Sequence, residues 1–196
     1  TLQTNVYQPI VSRQLMFYID VQGFVVRETA YADDPVKQRK YKEKMEARFE
    51  HFLSCIASLA VAGHEQNIHI GCASNALNHL GRKLPPVPPD AQLTPFLDQL
   101  AQMVPAVGSP NTAVLDALLH ERKLSAPLFV FGETVPKALY EWYERHKQKL
   151  SETRFYYMTE NEYAVKLGGI AAPLTSLLSG APVAQEPSNS KGSGQQ

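Results

Sequence analysis

Leu15-Met-Phe-Tyr-Ile-Asp20-Val-Gln-Gly-Phe-Val-Val26 is a near-continuous apolar run interrupted only by Asp20, Gln22 and Gly23. A strand with one wet face alternates apolar and polar residues; a run without alternation predicts a strand buried on both faces. Such a strand needs a layer on each side, and the chain that follows supplies candidates. From Pro35 to about Ala62 the period changes, with Met45, Phe49, Phe52, Leu53, Ile56, Leu59 and Ala60 recurring at three- and four-residue spacing. Asp34 and Pro35 suit the cap and first turn of that helix, which is expected to stop near Gly63.

The alternation continues outward from there. Asn67-Ile-His-Ile-Gly-Cys-Ala-Ser74 reads as a second strand, and Pro85-Pro-Val-Pro-Pro89 as an extended connector, because each proline disfavours helix in the residue before it. Asp90 is placed to cap a helix carrying Leu93, Phe96, Leu97, Leu100 and Val104, and Ser109-Pro110 to open another with Val114, Leu115, Leu118 and Leu119 inward. Pro127 to Phe131 reads as a strand, Val135 to Leu150 as an amphipathic helix with Leu139 and Trp142, and Thr153 to Met158 as a strand. Thr159-x-x-Glu162 has the form of a capping box for a short helix ending at Gly168-Gly169.

This order predicts an α/β fold of three layers, a mostly parallel sheet with helices on both faces, of the Rossmann-like kind. The 196 residues suit one domain, expected over 1–179, and a tail over 180–196 whose Ala, Pro, Gln, Ser, Asn and Gly offer almost nothing to bury and is expected to be disordered. Nineteen basic and nineteen acidic residues cancel, so no global field selects nucleic acid or an anionic membrane, and recognition is expected to be local. No stretch reaches the roughly 18 to 20 apolar residues of a bilayer span. Thr1 to Val11 show no basic and then apolar leader pattern, and Cys55 and Cys72 belong to no paired motif and read as buried thiols. Together these point to an intracellular protein, cytoplasmic or nuclear.

In open parallel sheets, ligands bind beyond the carboxyl ends of the strands, where loops and helix N-termini converge. The polar residues expected at that pole are Asp20 and Gln22, Ser74 and Asn75, Glu133 and Thr134, and Thr159 and Glu160, with Thr112 at the start of a neighbouring helix. Asp20 stands out, since a carboxylate ending a buried strand is costly unless it is paired, caps a turn or binds metal. Two roles are open to it: acceptor for backbone amides of the following turn, or ligand to a divalent cation such as magnesium.

The element order, with Asp20 ending the first strand and Gly108-Ser-Pro-Asn-Thr112 opening a helix, resembles a von Willebrand factor A domain. That family places an Asp-x-Ser-x-Ser motif after its first strand, joined by a threonine and a later acid in a metal-dependent adhesion site. The resemblance assigns the metal positions to Asp20, Thr112 and Glu133, with Gln22 and Phe24 standing where the family has serines. It implies a protein-interaction or scaffold module within a larger assembly, with no cofactor required. A haloacid dehalogenase-like phosphatase is similar in ending its first strand on Asp, but Gln22 stands where that family has its second acid. A nuclease of the PIN or NYN type would gather Asp20, Glu133 and Glu160 around magnesium, and this metal-dependent phosphoesterase class is the alternative function.

No glycine-rich phosphate loop, serine elbow or histidine pair at metal spacing occurs, and the basic run Lys37 to Lys44 passes into Glu43, Glu46 and Glu50, as on a solvated helix face; nucleic acid is not expected as a partner. Truncation after Gly180 is expected to leave the melting temperature unchanged, since those residues bring no apolar surface to offset the entropy of ordering them. A drop of several degrees in a thermal melt would mean that the tail docks on the body.

Overall fold

The computed structural model describes residues 13–27 and 29–178; residues 1–12, 28 and 179–196, and with them the tail expected over 180–196, lie outside the described residues. A six-stranded sheet forms the middle layer. Its members are β1 (Arg13–Ile19), β2 (Ile68–Ser74), β4 (Val87–Asp90), β6 (Leu128–Gly132), β7 (Thr153–Tyr157) and β8 (Ala171–Pro173), in the order β4-β2-β1-β6-β7-β8. All neighbours are parallel except β4, which runs antiparallel to β2. A separate two-stranded ribbon pairs β3 (Ala76–Asn78) with β5 (Met103–Val107).

Strand pleating divides the core in two. Phe17 and Ile19 of β1, Phe131 of β6 and Tyr156 of β7 enter one cluster with the inward residues of α1 (Pro35–Glu65) and α2 (Thr94–Gln102). Met16 and Tyr18, Leu128 and Val130, and Phe155 and Tyr157 enter the other, with α3 (Asn111–His120), α4 (Lys137–His146) and α5 (Glu162–Leu167). The alternation is the period of two expected of a pleated strand, filled by apolar groups on both faces. Cys55 and Cys72 are free and buried, and burial pushes the Cys72 thiol up to about 12. Among the described residues no helix is long and apolar enough to cross a membrane.

Several elements depart from their expected bounds for local reasons. The apolar run leaves the sheet at Ile19 and forms a single 3-10 turn over Gln22–Phe24, yet Val21 and Phe24 are still fully buried. Phe24 folds back on α1, with its ring 4.7 Å from that of Phe52 and 5.3 Å from that of Phe49. α1 continues past Gly63 to Glu65, and Asn67, at φ 59°, takes the left-handed position after it.

The proline connector is itself an edge strand, where a missing N–H facing outward does no harm. Gly71 permits the pairing: a Cβ there would meet the Val87 carbonyl oxygen at 2.5 Å and the Pro89 nitrogen at 2.6 Å. Asp90 holds a turn through the Gln92 amide (2.8 Å) and caps no helix, so α2 starts at Thr94. Val104 belongs to β5 and not to α2. Pro110, without a side-chain cap, precedes α3 in place of Ser109, and α4 spans Lys137–His146 within the longer expected segment. Asn161 caps α5 through the Ala164 amide (3.0 Å), the role expected of Thr159. The strand β8 and the turn of helix α6 (Thr175–Leu178) were not expected.

In α1, Phe49, Phe52, Leu53 and Ile56 are buried, whereas Lys40 and Lys44 are exposed. Phe52→Ala is expected to destabilise by about 3 to 5 kcal/mol and Lys40→Ala by less than about 0.5 kcal/mol. Urea melts of the two variants check this; equal effects would contradict the assignment of faces.

Candidate functional site

Asp20 closes β1 with its side chain only 1% exposed. Its Oδ1 accepts from the Gln22 backbone amide (2.9 Å) and from Asn75 Nδ2 (2.8 Å). Asn75, between β2 and β3, also accepts from the Val21 amide through Oδ1 (2.9 Å) and donates from Nδ2 to Asn111 Oδ1 (2.8 Å). Asn111 opens α3 and accepts from the Tyr18 hydroxyl on β1 (2.6 Å). One buried polar chain therefore ties the end of β1 to the end of β2 and to the start of α3. Gly132, beside it on β6, has room for no more than hydrogen: a Cβ would lie 2.9 Å from the Thr134 carbonyl oxygen and 3.7 Å from Asp20 Oδ2.

Among the described residues, no lysine, arginine or histidine side chain donates to this chain. Burial raises the Asp20 pKa above the ordinary carboxylate range, opposed by the Gln22 amide and then by the Asn75 and Asn111 side chains. The Asn111 carboxamide favours the charged form, although its buried Nδ2 reaches no acceptor at hydrogen-bond geometry. Burial and then the Asp20 charge push the Tyr18 hydroxyl well above its usual range.

The other acids of the pole have their own partners. Glu133 Oε1 accepts from Arg48 of α1 (2.9 Å) and from the Thr159 hydroxyl (2.8 Å), and Arg48 also donates to Thr159 Oγ1 (2.6 Å). Glu160 accepts from the Tyr157 hydroxyl at 3.0 Å. The Tyr157 pKa is raised by burial and then by Glu160. Ser74 Oγ accepts from the Ala76 amide (3.3 Å), and Thr134 lies half-buried in the turn after β6. Among the described residues no group of three or more His, Cys, Asp or Glu side chains is placed to hold a metal ion. Phe24, at a position where the adhesion motif has a serine, is 0% exposed in the core. A cation at this pole would have to compete with the amides on Asp20 and with the guanidinium on Glu133.

Gln22 and Thr112 have a different setting. Both line an open cavity of about 800 Å³ together with Val25, Arg27, Val107 and Ala138, between the turn after β1, the ribbon strand β5 and the starts of α3 and α4. Asn111, Arg48 and Arg27 were absent from the sequence-derived site. Asn111 follows Ser109-Pro110, which carried the cap signal, and the two arginines sit among charges that read as ordinary surface.

No family model matches the sequence, and no curated protein matches it. Among solved structures, proximal thread matrix protein 1 from the mussel byssus is similar, with a TM-score of 0.51 and 8% identity over 86% of this chain and 46% of that one. The chain thus spans about half the length of that structure, and the likeness shows the α/β fold alone.

Because the folded Asp20 pKa is raised, the native state holds that proton more tightly than the unfolded chain does. Stability therefore falls as pH rises from the unfolded pKa through the folded one, and the penalty is complete above it. Asp20→Asn keeps an acceptor oxygen and cannot ionise, so its stability relative to wild type should improve as pH is raised from about 3.5 to 7. Urea melts across that range check the trend, and a relative loss in the variant would mean that the charge is matched by a cation. Magnesium is expected to leave both melting temperatures unchanged; a wild-type rise lost in the variant would show Asp20 to be a metal ligand.

Proposed function

We propose that this chain is a protein-interaction module of the von Willebrand A-like kind, acting through the carboxyl pole of its sheet without a bound metal and serving within a larger assembly. The observation that carries this reading is the open cavity beside Gln22 and Thr112, next to acids already matched to donors of their own. Catalysis by phosphoester hydrolysis needs carboxylates free to bind metal and orient water. Binding needs a shaped surface on a rigid frame, and the buried Asp20–Asn75–Asn111–Tyr18 chain supports such a frame.

A protein partner suits this surface better than nucleic acid. The cations of α1 are largely spent along the helix, Lys37 on Asp34 (3.1 Å), Arg39 on Glu43 (2.8 Å) and Lys42 on Glu46 (3.9 Å). Two buried free thiols in place of a disulfide fit an intracellular setting.

The test is affinity capture from extracts of the source cells with wild type, Ala138→Trp and Lys149→Glu as baits. Ala138 is exposed in the first turn of α4 and lines the cavity, so tryptophan fills it without entering the core; Lys149 lies after α4 and away from it. A partner retained by wild type and Lys149→Glu and lost with Ala138→Trp is the expected result. A partner indifferent to Ala138→Trp, or turnover of a phosphodiester with magnesium or manganese, would overturn the proposal.

A further inference from the structure

The turn after β1 lines more than the 800 Å³ cavity. A second opening of about 400 Å³ shares Gln22, Val25 and Arg27 with it and continues to Tyr31 and Tyr41. The segment Gln22 to Arg27 lines both openings, the larger and the smaller part of one candidate groove. Its larger part has apolar walls in Pro105, Val107 and Ala138, and its smaller part ends on an aromatic pair, Tyr31 edge-on to Tyr41 at 5.7 Å.

Among the described residues that line this groove, charge has one sign. Neither opening is lined by an acidic residue, and Arg27 lines both. Arg27 is exposed and forms no ion pair with a described residue. Lys44, exposed and also without an ion pair among the described residues, stands one helical turn beyond Tyr41 on the same side of α1. Apolar walls, tyrosines and an arginine without an ion pair among the described residues are the composition of a protein-binding patch. A nucleic-acid strand would present a phosphate at every step and call for a row of cations, whereas the lining offers one.

We propose that this groove docks a segment of a partner protein in which a carboxylate lies beside a large apolar side chain, the carboxylate on Arg27 and the apolar group in the larger cavity. This rests on the interaction-module reading above and adds the chemistry of the ligand. Arg27 offers a planar fork matched to a carboxylate, and the neighbouring apolar walls lower the local dielectric, which strengthens the pairing.

Amide chemical-shift titration with two probes tests it: the capped peptide Gly-Leu-Glu-Leu-Gly and its counterpart with Gln for Glu, both in excess chelator. The Glu peptide is expected to shift the amides of Val25, Arg27, Val107 and Thr112, with at least a fivefold weaker effect for the Gln peptide and for Arg27→Gln. Arg27 is exposed, so Arg27→Gln should keep the wild-type melting temperature. Equal shifts from both peptides, shifts that appear only when magnesium replaces the chelator in a parallel titration, or shifts produced by oligothymidylate and not by the Glu peptide would each overturn the inference. In partner capture, loss with Ala138→Trp but retention with Arg27→Gln would refute the carboxylate contact alone; retention with both would refute the interaction surface itself.

Discussion

From Met16 to Ile19, β1 has no side in water, and that constraint organises the molecule. Met16, Phe17, Tyr18 and Ile19 are all essentially inaccessible, so the strand has to be flanked by β2 and β6 in the sheet and covered by helices above and below. A central strand of this kind also decides where polar groups can lie. Beyond the exposed Arg13 and Gln14 at its start, the strand carries one polar group, the Tyr18 hydroxyl, before Asp20 at its end. The ends of β1 and β2, and the turn after β6, are brought together because the parallel register sets Ile19 opposite both Ser74 and Phe131.

An acid at that end must be satisfied without leaving the core. The solution is a pair of neutral donors, the Gln22 backbone amide and the Asn75 carboxamide, with Asn111 accepting from Asn75 and from the Tyr18 hydroxyl to complete the chain. Neutral donors stabilise a buried carboxylate only in part, so its pKa stays raised. In return the chain fixes three elements at once, and removing the Asn75 carboxamide would leave the buried Val21 amide without its acceptor. Glu133 follows the opposite course. It lies nearer the surface, where Arg48 can reach it, and the pair links the long helix α1 to the loop after β6.

Apolar spacing carried most of the layer order in the sequence. The long buried strands and α1 announce themselves through many residues at once, and Asp34 caps α1 as its position suggests, through the Lys37 amide at 3.0 Å. Short elements lack that redundancy. Ala76-Leu-Asn78 and Met103 to Val107 are strands only because they pair with each other across a long intervening segment, a non-local fact that no window of sequence contains. The prolines of β4 argue against a strand anywhere but at an edge, and edge position is likewise a property of the assembled sheet. The same distinction divides the site. Asp20, Asn75 and Glu133 are visible as polar residues ending apolar runs, while Asn111 and Arg48 become part of it only through contacts 36 and 85 residues apart.

The two polar systems at the pole respond differently to solvent. Amide contacts to Asp20 are buried and hardly screened, whereas the Arg48–Glu133 pair, with side chains 32% and 17% exposed, is open enough for salt to weaken it. The turn after β1 is held from below by Val21 and Phe24 in the core and by the Val21 amide on Asn75. The wall it gives the groove is therefore set by buried contacts, independent of ionic strength. Arg27 stands on that wall in water, where its field is screened over roughly 8 Å at physiological salt. Salt would thus change how strongly an anionic group is drawn to Arg27 while leaving the wall itself in place, so the proposed docking surface would be preformed and not assembled by its ligand.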